Sequence, residues 1–261
     1  MNNLLQETLV RVKSKLLELH YLTNTGHIGG NFSCIDALVV LHHHTMQEDD
    51  KFILSKGHSA AALYTTLWSL GKISDEDLST FSKNGTRLGG HPSDLSLSDV
   101  IFSTGSLGHG PSLASGLAYG LKVKKSESRV FCVCSDGEWQ EGSCWEALIF
   151  SAHQRLNNLT IIIDLNKLQG FGSTSEVASF EELQYKMESF GARVERFNGH
   201  DIESLIRGLS VQDSEKPMVL LLDTVKGNGL HFEGKLESHY LPINEEQYQD
   251  ALSRLSVKEA K

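Results

Sequence analysis

The sequence predicts a doubly wound α/β fold: a mainly parallel sheet with helices on both faces. From residue 129 onward, short apolar runs that read as strands ("RVFCVCS", "LTIIIDL", "ARVERF", "PMVLLLDT") alternate with segments of helical period. Short apolar strands joined through helices form parallel sheets covered on both faces. Glycine is plentiful, at 23 residues, and proline scarce, at 4, which suits many tight strand–helix turns. With 261 residues, 39% of them hydrophobic, the chain can bury one sizeable core, so residues 1–261 are expected to form a single domain.

The elements follow in order. Apolar residues at Leu5, Leu9, Val12, Leu16 and Leu19 predict a first helix from about Leu4 to Tyr21. "SCIDALVVLHHH" opens like a capping box, Ser33 followed by Asp36. On this reading His42, His43 and His44 form a solvated helix end, where positive charge is favourable. "SAAALYTTLWSLG" is a helix closed by Gly71. "GPSLASGLAYGLKVKK" begins with a proline suited to a first turn, and its small residues Ala114, Ser115, Gly116, Ala118 and Gly120 allow close backbone packing. Strand 129–135, helix 143–156, strand 159–165, helix 180–191, strand 192–197, helix 201–209 and strand 217–224 come next. A solvent-facing helix over 244–261 closes the chain, with Asn244 and Gln247 as its start signal.

Composition narrows the function classes. The net charge is −9, with both signs interspersed, and no basic cluster suggests nucleic acid. The N-terminal segment is helical in period and charged throughout, so it reads as neither signal peptide nor membrane span. Cys34, Cys132, Cys134 and Cys144 form no CxxC pair. They read as small core residues in a reducing cytoplasm, with Cys132 and Cys134 on one face of a strand.

In doubly wound folds, ligands bind at the carboxyl ends of the strands. Asp136 lies just past one strand and Asn166 just past the next, one helix crossover away, so the two are expected to face each other across a crevice. A hard cation that bridges phosphates takes oxygen ligands of this kind: a carboxylate, a side-chain amide and a backbone carbonyl, for which Leu168 is placed. Taken alone, each residue is equally at home as a helix cap or turn former.

The pair resembles the thiamine-diphosphate signature, a Gly-Asp-Gly at a strand end followed by Asn about thirty residues on, with Ser135 in place of the first glycine. The surrounding segment "SDGEWQEGSCWEA" resembles its transketolase version. "TGHIGG" (25–30), "FILSKGHSAAALY" (52–64), "GGHPS" (89–93), "STGSLGHG" (103–110), "DTVKGNG" (223–229) and "SHYLPINEEQY" (238–248) resemble transketolase segments in the family's order. Essentially the whole chain is similar to the N-terminal subunit of split, two-chain transketolases. The resemblance implies a thiamine diphosphate-binding fold and transfer of a two-carbon ketol unit from a ketose to an aldose, with sugars or sugar phosphates as substrates. It implies Mg²⁺ or Ca²⁺ held by Asp136, Asn166 and the Leu168 carbonyl. The implied cofactor contacts are His58, Gly105, Ser106, Leu107, Gly137, Glu138, Asn166 and His239. His27, His58, His91 and His239 are the implied catalytic histidines. Glu141 would lie where the two active sites of a dimer meet.

The pattern is broken in places. Ser135 stands for Gly, His109 for Gln, and Tyr240 follows His239 where Gly is common. The segments 45–51 and 92–103 look short for the family, which points to a more open site or an unusual substrate. The resemblance further implies that the Glu activating the aminopyrimidine ring, and the arginines gripping substrate phosphate, lie on a C-terminal partner subunit in an α₂β₂ cytoplasmic enzyme. The isolated chain is then expected to be inactive. Surface near Trp139, Trp145 and the helix over 110–122 is the expected contact with the partner. Two other readings stand beside this one: a component of a 2-oxoacid dehydrogenase, and a non-catalytic partner that keeps the fold.

Overall fold

The computed structural model describes residues 2–179 and 181–259. In chain order its elements are α1 (Asn2–Thr23), α2 (Ile28–Val40), β1 (Lys51–Leu54), α3 (Ala60–Ser69), α4 (Asp75–Leu78), α5 (Gly110–Val123), β2 (Val130–Ser135), α6 (Gly142–His153), β3 (Leu159–Leu165), the two-residue strands β4 (Leu168–Gln169) and β5 (Gly172–Ser173), α7 (Thr174–Val177), α8 (Leu183–Ser189), β6 (Arg193–Asn198), α9 (Ile202–Ser210), β7 (Met218–Asp223), α10 (Glu237–Tyr240) and α11 (Glu245–Glu259). The main sheet runs β1-β2-β3-β7-β6, and every pairing in it is parallel.

Successive strand residues point to opposite faces, and here both faces are buried. Phe131, Val133, Ile162, Leu220 and Leu222 join a core with α1, α2, α3 and α9. Val130, Cys132, Cys134, Ile161, Ile163 and Val219 join a second core with α5, α6 and α8. The fold is the doubly wound α/β arrangement the sequence predicts. Each fully buried Val, Leu or Ile contributes roughly 1.5–3 kcal/mol of transfer free energy, which holds both helical layers to the sheet. β2 and β3 run in register with Ser135 opposite Asp164, so Asp136 and Asn166 leave the sheet at the same end.

Several expectations need correction. α2 begins at Ile28, not at Ser33, and all thirteen of its residues are buried. A helix buried all round carries no amphipathic period to mark its start. Ser33 is no cap: its hydroxyl donates to the Gly30 carbonyl (3.0 Å) and to Asp164 (2.5 Å). Asp36 instead meets Lys13 at 2.7 Å and His200 at 2.8 Å. His42–His44 lie in a wide turn over Leu41–Thr45 and are half-buried, not a solvated helix end. The His42 ring packs edge-on against Phe52, and His43 pairs with Ser69. Trp139 is completely buried and so cannot form a docking surface, whereas Trp145 is partly buried and donates its Nε1–H to the Trp139 carbonyl. On α5, Ala114, Ser115 and Ala118 are buried, and Ser115 bonds Ser151 of α6. Gly116 and Gly120 border open space.

β1 escaped the sequence reading because four residues carry too little pattern. The helix expected over 180–191 begins at Leu183; Phe180 lies outside the described residues, as do Ala260 and Lys261 at the end of the last helix. Asn244 and Gln247 bond each other's backbone N–H reciprocally at 2.9 Å, the expected start of α11. Among the described residues no helix is long and apolar enough to cross a membrane.

Candidate active site

The carboxyl ends of β1, β2, β3 and β7 open onto one cavity of about 330 Å³. It is lined by His27, His58, His91, Gly105, Leu107, Asp136, Gly137, Asn166, Leu168 and His239, all expected from the sequence, and also by Gln169, Gly170, Phe171, Lys226 and Tyr240. Two expected residues do not line it. Ser106 is exposed on its loop. Glu138 is fully buried beneath the cavity, where its carboxylate accepts from the Ser55 hydroxyl, from Gly108 N (2.9 Å) and from Ser135 N (3.2 Å). That carboxylate clamps three loops together and has no oxygen left for a ligand. His109 is exposed and bonds the Ser106 carbonyl at 3.1 Å, so this departure stays local to the loop.

The two polar residues at the strand ends are held in different ways. Asp136 accepts from Gly137 N at 2.8 Å and Lys167 N at 2.5 Å. Burial, with Asp164 nearby, raises its pKa to about 6. A buried carboxylate of this kind is stabilised by a bound cation. Asn166 donates its amide to Asp164 (3.0 Å), which fixes the side chain's orientation and turns Oδ1 away from that carboxylate; Oδ1 accepts from Leu168 N at 3.1 Å. Asp164 itself is nearly fully buried and also accepts from Lys56, Ser33 and Thr224. Burial opposes its charge, and the Lys56 ammonium outweighs burial, keeping it below the ordinary aspartate range. A carboxylate, an amide oxygen and a carbonyl oxygen on one wall form a donor set that fits a hard, oxygen-seeking cation.

The histidines form the opposite wall. His27 caps α2 in a left-handed conformation, φ 65°, and its Nδ1 and backbone N both lie 2.9 Å from the His239 carbonyl. A carbonyl only accepts, so Nδ1 carries the proton and Nε2 of the neutral ring is a free acceptor. The His27, His58 and His239 rings pack together, with centroids 4.9–6.1 Å apart. Burial, then Lys56, pushes His58 well below the ordinary histidine value. Burial, then Lys226, pushes His239 down to about 4. His91 is exposed at the mouth, and its pKa is lowered by burial of part of the ring and by His27. Lys226 is almost fully buried and donates to the Leu168 carbonyl (3.0 Å) and to His239 Nδ1 (2.9 Å). Burial, then Lys56, lowers its pKa to about 8. With Nδ1 accepting from Lys226, the neutral His239 ring carries its proton on Nε2. His27 thus offers an acceptor and His239 a donor.

The family model for "Transketolase, thiamine diphosphate binding domain" matches residues 22–261. The chain belongs to the transketolase family. It is 36% identical over 258 residues to one of the two types of chain of an apulose-4-phosphate transketolase, from Phocaeicola vulgatus, covering 94% of this chain and 92% of that relative. It is 34% identical to "6-deoxy-6-sulfo-D-fructose transketolase subunit SqwG" of a Clostridium species, covering 90% of each. Among solved structures it is similar to transketolase from Campylobacter jejuni, with TM-score 0.87 and 28% identity, covering 98% of this chain and 43% of that one. The chain therefore spans under half the length of that transketolase and most of the length of the subunit-type relatives.

The buried groups around the site were missed by sequence reasoning. Lys226 lies within the quoted "DTVKGNG" and Lys56 within "FILSKGH", and a lysine in a glycine-flanked apolar context was the available signal.

Proposed function

We propose that this chain is the diphosphate-binding subunit of a two-chain transketolase that moves a two-carbon ketol unit from a ketose to an aldose. The observation that carries the reading is the meeting of Asp136, Asn166 and the Leu168 carbonyl with His27, His58, His91 and His239 around one cavity at the strand ends. Thiamine diphosphate, when bound, supplies the carbon nucleophile and electron sink for breaking and forming the ketose carbon–carbon bond. Asp136, Asn166 Oδ1 and the Leu168 carbonyl hold Mg²⁺ (or Ca²⁺) against the diphosphate, and Lys226 adds a positive charge beside them. Gly105, Leu107 and Gly137 bring backbone and a small apolar surface close to the cofactor. His27 takes a proton from a substrate hydroxyl at its free Nε2, and His239 donates from Nε2. His58, kept neutral by burial and Lys56, orients the reacting end, and His91 meets substrate at the mouth.

Relatives that are themselves named as transketolase subunits support a second polypeptide. We assign to it the carboxylate that activates the aminopyrimidine and the groups that grip substrate phosphate, in a cytoplasmic α₂β₂ enzyme in which residues 1–261 form one domain. Relatives named for apulose 4-phosphate and a sulfofructose support a specialised sugar substrate. The test is to co-purify the chain with candidate partner chains and assay ketol transfer with added thiamine diphosphate and Mg²⁺. Turnover is expected only in the pair. Full turnover by the 261-residue chain alone contradicts the two-chain reading.

A further inference from the structure

Tyr240 spans the cavity mouth. One end is anchored by backbone. His27 N donates to the His239 carbonyl (2.9 Å), and a Cβ on Gly26 would lie 2.5 Å from the Tyr240 carbonyl, so the start of α2 presses directly against this segment. The other end is the tyrosine hydroxyl, which donates to the Gly170 carbonyl at 2.6 Å. Gly170 lies at the tip of the β4–β5 hairpin, whose base is Asn166 and Leu168. A hairpin of two-residue strands is marginal by itself. Its other ties are Gln169 to Gln140 (3.0 Å) on one flank and Lys226 to the Leu168 carbonyl (3.0 Å) inside. Next to Gly170, Phe171 is exposed and Gly172 has φ 137°, a backbone conformation that offers little resistance to movement at the tip. The Tyr240 ring also packs against His239, centroids 4.7 Å apart.

We propose that Tyr240 is a positioning residue, a latch that fastens the 168–173 hairpin to the His239 segment. It holds the Leu168 carbonyl and His239 at a fixed separation across the site. The effect on cofactor rests on the function proposed above; the latch stands on geometry alone. The test uses the chain assembled with its partner and compares wild type with Tyr240→Phe, which keeps the ring and removes the hydroxyl. Hydrogen exchange of peptides covering 166–175 should speed up about two- to tenfold, the scale of one neutral hydrogen bond, with β2 and β3 unchanged. Dissociation of thiamine diphosphate at fixed Mg²⁺ should accelerate by a similar factor, while kcat at saturating cofactor stays within about twofold, since Tyr240 does no proton transfer. Unchanged exchange in the hairpin overturns the latch. Faster exchange throughout the sheet shows a general structural role and overturns it too. Faster hairpin exchange with an unaltered cofactor off-rate overturns the positioning role. If wild type binds no cofactor, the proposed function fails, and the exchange comparison still decides the latch.

Discussion

Lys56→Met isolates the buried pair that supports the site. Lys56 is 0% exposed and Asp164 is 2% exposed. Lys56 donates to Asp164 and, at 2.9 Å, to the Gly30 carbonyl. Methionine fills much of the same volume but leaves a carboxylate without its charge partner in the core. Ser33, Thr224 and Asn166 still donate to Asp164, which limits the loss. Breaking such a pair costs about 3–5 kcal/mol. For a chain of this size that lowers the melting temperature by about 6–20 °C. The exposed pair Lys72–Asp99 is the control, and Lys72→Met should cost under about 1 kcal/mol. Lys56→Met combined with Asp164→Leu should cost less than the sum of the two, because no lone charge remains, although Asn166 loses its orienting acceptor. Thermal melts and urea midpoints read all four proteins. Equal losses for Lys56→Met and Lys72→Met would refute the reasoning.

Asp136→Ala and Asn166→Ala should each weaken thiamine diphosphate binding at least about 10-fold, or about 1.4 kcal/mol, in calorimetric titrations of the assembled enzyme with Mg²⁺; unaltered affinity in both removes the metal assignment. His27→Ala and His91→Ala should lower ketol transfer about 10²-fold with cofactor binding nearly intact, whereas His42→Ala, which removes a ring packed on Phe52 away from the site, should affect melting and not turnover. Burial lowers His20, which is also almost fully buried, from 6.5 to about 4. The unfolded chain therefore takes up this proton first as pH falls: stability is complete above about pH 6.5 and declines between 6.5 and 4, by up to about 3 kcal/mol. His20→Gln should flatten that part of the stability–pH curve, and an unchanged slope counts against a neutral buried His20.

The sheet was legible because β2, β3 and β7 are continuous apolar runs, and the site followed from the rule that ligands bind at strand ends. α2 was misplaced because burial on every side removes the periodicity that marks a helix. The Lys56–Asp164 pair was hidden because its members are 108 residues apart and meet only once β1 and β3 share a sheet. Glu138 sits beside Asp136 in sequence and was assigned to the cofactor on that basis. Its turn directs the carboxylate downward, toward Ser55, Gly108 and Ser135, which no one-dimensional pattern encodes. Tyr240 stood out only as a departure, since its partner Gly170 lies on another loop.

The central claim is that Asp136, Asn166 and the Leu168 carbonyl hold a cation against thiamine diphosphate. The most direct measurement is anomalous diffraction from crystals of the assembled enzyme grown with thiamine diphosphate and Mn²⁺, which takes the oxygen ligands that suit Mg²⁺. The account predicts one anomalous peak per chain within ligand distance of Asp136 Oδ, Asn166 Oδ1 and Leu168 O, with diphosphate oxygens completing the shell. A diphosphate bound elsewhere, or a peak that none of these three oxygens touches, would contradict it.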